Sequence, residues 1–64
     1  MKTINKNYVH KVAKELNMTV NDMRDNYKGF AMICGFDSVD EYLFDDMRRG
    51  FNHVQSADIL RHGL

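Results

Sequence analysis

Apolar residues recur at spacings of three and four in three successive stretches of the chain, and each stretch carries its own start and stop signals. Ile4, Tyr8, Val9, Val12, Ala13 and Leu16 share one face of a helix predicted from about Asn5 to Leu16, with Lys6, His10, Lys11 and Lys14 on the opposite face. Asn17 then suits a left-handed cap. The second stretch opens on Thr19 as N-cap with Asp22 three residues later. Its apolar stripe is Val20, Met23, Tyr27, Phe30, Ala31 and Cys34, and Gly35 stops it. Gly29 falls inside this pattern at a cost of about 1 kcal/mol relative to Ala. It either ends the helix early, leaving Phe30 to Cys34 as a separate turn, or allows a neighbouring helix to approach closely.

The third stretch begins with a capping box, Ser38-Val39-Asp40-Glu41. Acids in its first turn and Arg48 and Arg49 in its last complement the helix dipole, and Gly50 closes it. Val39, Leu43 and Met47 face the core, while Tyr42, Phe44 and Phe51 widen the apolar side. The tail holds a further capping box, Asn52-His53-Val54-Gln55, with Ser56 as a rival N-cap. A short final helix contributes Val54, Ile59 and Leu60, and His62-Gly63-Leu64 is expected to fray. The run Phe30 to Phe36 has a strand-like composition, but no second run exists to pair with it. The expected fold is all-α: residues 1–64 as one small bundle of three to four short helices.

Length sharpens this picture. A chain of 64 residues hides only about 60% of its unfolded surface on folding, so docking onto a partner adds stability that the core alone lacks. One Cys excludes a disulfide framework. No apolar run approaches the roughly 18 residues of a membrane span. The start, Met-Lys-Thr-Ile-Asn-Lys, lacks the apolar core of a signal peptide, and a cytoplasmic protein is expected. Nine Lys and Arg balance nine Asp and Glu, which counts against nucleic acid as the main partner. The balance is a cancellation: residues 1–35 hold six bases against three acids, and residues 36–64 three bases against six acids.

Catalytic chemistry finds little footing. Cys34 reads as a buried, inert small hydrophobe on the second stripe. His10, His53 and His62 are scattered, and with one Cys they do not supply the four ligands of a structural zinc site. There is no glycine-rich phosphate loop. Asp45 and Asp46 are adjacent on a helix and therefore point in different directions. No enzyme, cofactor or metal is expected.

The segment Val12-Ala13-Lys14-Glu15-Leu16-Asn17-Met18-Thr19-Val20-Asn21-Asp22-Met23-Arg24 resembles a helix-turn-helix unit. Ala13 is the small residue where two helices cross, Asn17 stands at the turn position usually held by Gly, Thr19 caps the second helix and Met23 is its apolar anchor. The resemblance implies DNA contact through Lys11, Lys14, Asn21, Arg24 and Lys28, although Asp22 and Asp25 on the would-be recognition helix repel a phosphate backbone. Ala31 to Val39 repeats the same order of small residue, Gly and Ser cap, which marks helix boundaries.

The leading functional expectation is a protein-binding module, an adaptor or inhibitor that occupies a partner's surface. In size it resembles the small accessory proteins of phages and plasmids that block host machinery. The acidic, aromatic third helix supplies the expected contacts: Tyr42, Phe44, Asp45 and Asp46, with Phe51 as an anchor. Aromatics rimmed by carboxylates suit a basic protein surface, including one normally occupied by nucleic acid. The charge poles also allow a homodimer, the basic first helix of one copy meeting the acidic third helix of another. A DNA-binding helix-turn-helix regulator is the rival expectation.

Overall fold

A computed structural model describes residues 6–62, and these form five α-helices: α1 (Lys6–Glu15), α2 (Val20–Asn26), α3 (Lys28–Ile33), α4 (Val39–Arg48) and α5 (His53–His62). No strand occurs among the described residues. The fold is the expected small all-helical bundle, with more and shorter helices than the expected three to four. The proposed contribution of Ile4 and Asn5 to the first helix, and the Gly63-Leu64 end, lie outside the described residues. No helix of the described residues is long and apolar enough to cross a membrane.

Three of the helices end by one device. Asn17 (φ 60°), Gly35 and Gly50 (both φ 94°) adopt the left-handed conformation just past α1, α3 and α4. In each case the next amide folds back onto the preceding helix: Met18 donates to the Ala13 carbonyl at 3.1 Å, Phe36 to Ala31 at 2.9 Å and Phe51 to Asp46 at 3.1 Å. These bonds satisfy carbonyls that a helix end otherwise leaves open. Helix starts are equally local. Ser38 Oγ accepts from the Glu41 amide at 3.2 Å. At α5, Asn52 and Gln55 cap one another reciprocally, at 2.9 and 3.0 Å, so Ser56 lies inside the helix and is not its cap.

The second stretch breaks at Tyr27 (φ −111°, ψ 11°), two residues before Gly29. Hydrogen bonds from Tyr27 to the Met23 carbonyl and from Ala31 to the Tyr27 carbonyl, 3.1 and 3.0 Å, continue across the break. The result is a kink in a nearly continuous ladder. Asp25, Asn26 and Gly29 are poor helix formers clustered around it. Gly29 itself serves no close approach, because a Cβ there would meet nothing within 4 Å. The kink and the short α3 also correct the reading of Cys34. It lies in the turn after α3 and is exposed, and Ala31 takes the buried position instead.

The core draws one large side chain from each of four helices. Val12, Met23 and Leu43 are fully buried and Leu60 is 2% exposed. Burying side chains of this size stabilises by about 1.5–3 kcal/mol each. α1 makes its most extensive contact with α5. Arg61 reinforces this pairing, donating to the Glu15 carbonyl at 2.7 Å at the end of α1 while bonding Asp58 at 3.0 Å. That anchor holds α5 helical as far as His62, where fraying was expected. α4 contacts all four other helices. Phe30 and Phe36 meet the Tyr42 ring edge-on, with centroids 5.3 and 5.6 Å away.

Candidate functional site

The residues that carry the helix-turn-helix resemblance build a true hairpin of α1, turn and α2. Ala13 is buried beneath the turn and Met23 is the fully buried anchor. Asn17 adopts the left-handed conformation that the motif asks of this position. Thr19 Oγ1 accepts from the Asp22 amide at 3.1 Å and starts α2. Residues of α1, the turn and α2 together line an open groove of about 1090 Å³.

Helical geometry sorts the residues of this groove. Lys6, His10 and Lys14 recur every four residues along α1 and form one exposed wall. Val9 and Ala13, three residues on from Lys6 and His10, lie beneath the groove but are each 2% exposed, so its accessible apolar surface comes from the half-buried Met18 and Val20. Thr19, Asn21, Asp22 and Arg24 make the opposite wall. Among the described residues neither Lys6 nor Lys14 is paired with an acid. The fourth base of the expected stripe, Lys11, falls outside the groove on the outer face of α1. The sequence shows the basic stripe but not the concavity, which residues of α1, the turn and α2 line together.

Of the residues expected to touch DNA, the groove gathers Lys14, Asn21 and Arg24 and leaves out Lys11 and Lys28. Lys28 lines a separate depression of about 480 Å³ with Asp25, Asp37 and Asp40. Arg24 is engaged within the chain. Its Nε and Nη2 donate to the two carboxylate oxygens of Asp40 at 2.9 and 2.8 Å, a bidentate grip that joins α2 to α4.

The acidic, aromatic face expected on α4 is largely absorbed into the fold. Tyr42 is 7% exposed and Asp46 3% exposed, so neither is available to a partner. Tyr42 is buried because the rings of Phe30 and Phe36 close over it. Asp46 is buried because α5 packs against it: Ser56 Oγ donates to its Oδ2 at 3.1 Å, and Ser56 also hydrogen-bonds the Tyr8 hydroxyl. Asp45 is half-buried and bridges to Arg49 at 3.1 Å. Phe44 and Phe51 are half-buried, with the Arg48 guanidinium 5.9 Å over the Phe44 ring. The apolar surplus of the third stretch therefore fits one small bundle, because five short helices surround it where three would not.

Burial leaves electrostatic marks on this interior node. Desolvation pushes the Asp46 carboxyl above its ordinary range, against hydrogen bonds from Ser56 and Tyr42 that pull it down. The Tyr42 phenol is raised by burial and by the neighbouring Asp46 charge, and Tyr8 is raised chiefly by burial. With Asp46 and Ser56 sealed from solvent, the node binds helices together and offers no entry to a substrate. Among the described residues no cluster of three His, Cys, Asp or Glu could hold a metal ion.

One surface feature escaped the sequence pattern. Met32 and Ile33, side by side at the end of α3, are 59% and 72% exposed. Comparison with protein-family models, with curated proteins and with solved structures finds no match to this chain.

Proposed function

We propose that the chain is a small non-enzymatic protein-binding module, an adaptor or inhibitor that acts by seating part of a partner in the groove between α1 and α2. One observation carries this reading: the half-buried apolar side chains of Met18 and Val20 lie beside an exposed wall of Lys6, His10 and Lys14 in an open groove of about 1090 Å³. An apolar surface edged by charged groups suits a partner segment that carries apolar and charged side chains together. The solvent-excluded node at Asp46 supports a structural and not a catalytic use of the buried polar groups. The reading retains the adaptor or inhibitor function expected from the sequence and moves its contact surface from α4 to α1 and α2.

A photo-crosslinking residue placed at Asn21, on the groove rim, tests it in living cells against the same residue at Gln55 on α5. A discrete protein adduct from position 21 that is missing from position 55 is the expected result. Equal adducts from both positions, or none from position 21, overturn the reading.

DNA binding remains a second reading because the hairpin itself is built as the helix-turn-helix resemblance requires. Against it stand Asp22 and Asp25 on the exposed side of α2 and the engagement of Arg24 by Asp40. The same crosslinking experiment returns nucleic acid from position 21 if this second reading is correct.

A further inference from the structure

We infer that the groove takes an acidic segment of the partner protein, its Asp or Glu side chains set against Lys6, His10 and Lys14. The inference rests on the protein-binding reading and names the chemistry of its partner.

The fold itself uses the other strong bases. Every arginine is engaged within the chain: Arg24 by Asp40, Arg49 by Asp45 and Arg61 by Asp58, while Arg48 lies over the Phe44 ring. Lys28 shares its depression with Asp25, Asp37 and Asp40. Lys6, His10 and Lys14 differ. They are exposed on one wall of the groove, and among the described residues none of them is paired with an acid. Like charges one turn apart on a helix repel one another. α1 also has no acid in its first turn to offset Lys6 at the positive end of the helix dipole. Carboxylates placed along this wall relieve both costs.

Neighbouring bases of the wall stand about 6 Å apart, four residues at 1.5 Å each. Acids on successive turns of a helix repeat at that distance, and acids on one face of an extended strand at about 6.6 Å. Charge, and not backbone conformation, therefore defines the occupant. The accessible apolar surface beside the wall is that of Met18 and Val20. It accommodates an apolar side chain next to the acids, and the flexible Met18 adjusts to its shape.

Asp22, on the opposite wall, favours protein over nucleic acid. A polypeptide segment carries its acids on the edge toward α1 and neutral or basic residues on the edge toward Asp22. A nucleic-acid backbone is charged along its whole length and meets Asp22 as well as the lysines. Arginine is the residue best suited to grip a phosphate in two places, and the arginine of this groove, Arg24, is already held by Asp40.

The test uses the whole protein and three synthetic probes. The first is a peptide in which Glu alternates with Ser and Leu, so that acids fall at both two- and four-residue spacing. The second is the same peptide with Gln in place of every Glu, and the third a short random-sequence DNA duplex. The Glu peptide is expected to bind more tightly than the Gln peptide by about tenfold, a difference of about 1.4 kcal/mol, and to weaken as salt is raised. Lys6→Gln/Lys14→Gln is expected to abolish this preference. Lys11→Gln, which removes a charge from the outer face of α1, is expected to keep it. Gln matches Lys in helix propensity, so helical circular dichroism stays unchanged in both variants. Equal binding of the two peptides, or an equal loss in the two variants, overturns the inference. Tighter binding of the duplex than of the Glu peptide overturns it in favour of nucleic acid. If the Glu peptide fails while the crosslinker at position 21 still yields a discrete protein adduct, the partner chemistry assigned here falls and the protein-binding reading stands.

Discussion

The hydroxyl of Ser56 on α5 donates to the carboxylate of Asp46 on α4 at 3.1 Å, and both residues are sealed from solvent. Ser56 also bonds the Tyr8 hydroxyl of α1, which reaches the Phe51 and Asn52 carbonyls at 3.1 Å each. One buried contact thus ties three helices and the α4–α5 turn together. Asp46→Ala removes this bond and opens a cavity, and is expected to cost about 1–3 kcal/mol, read as a lowered urea midpoint.

The same carboxyl gives stability a pH dependence of definite sign. Its folded pKa lies above its ordinary value, so the native state holds the proton more tightly than the unfolded chain. The contribution is fully present below the unfolded value, near pH 4, and is lost as pH rises through the folded value. Asp46→Asn removes this titration while keeping the size of the group. The stability of the wild type minus that of Asp46→Asn is therefore expected to fall as pH is raised from about 4 toward neutrality. A difference that is flat or rises over this range contradicts the assignment.

Tyr42 makes the matching prediction at the alkaline end. Burial and the Asp46 charge hold its phenol above the ordinary value of 10.0. Above that pH the unfolded chain loses the proton first, so stability declines as pH rises beyond about 10. Tyr42→Phe keeps the ring contacts with Phe30 and Phe36 and removes this term. Its alkaline loss of stability is expected to be shallower than that of the wild type, measured by circular dichroism between pH 9 and about 12.

Local signals were readable where the chain's own backbone answers them. Thr19, Ser38 and the Asn52–Gln55 pair start helices as their spacing implies, and Asn17, Gly35 and Gly50 end them. Burial that depends on a distant partner was not readable. Asp46 and Tyr42 look like surface groups on the third stretch until α5 and the Phe30 and Phe36 rings are brought over them. Cys34 looks interior on the second stripe until the break at Tyr27 leaves it exposed in the turn after α3. The groove belongs to the same class: Lys6, His10 and Lys14 are visible as a stripe, but the empty space beside them depends on the angle between two helices.

Gly29 offers a stabilising substitution. It is exposed within α3, its φ is not positive, and an added Cβ meets nothing within 4 Å. Ala there restricts the unfolded chain and restores helix propensity at no steric cost. Gly29→Ala is expected to raise stability by about 0.5–1 kcal/mol, with an unchanged denaturant slope. Destabilisation instead would show that the kink at Tyr27 requires a glycine two residues on.

Asn17 links stability to the shape of the groove. Its φ of 60° places it in the left-handed region, and its amide donates to the Lys14 carbonyl at 3.0 Å to close α1. A side chain without the local hydrogen bonding of Asn costs about 1–2 kcal/mol in this conformation, whereas Gly adopts it freely. Asn17→Ala is therefore expected to lower the urea midpoint, and Asn17→Gly to hold or raise it. Asn17 also lines the groove between α1 and α2. The protein adduct from a crosslinker at position 21 should accordingly survive Asn17→Gly and weaken in Asn17→Ala, with both measured where each variant is fully folded. Equal adducts from the two folded variants would separate the groove from the turn.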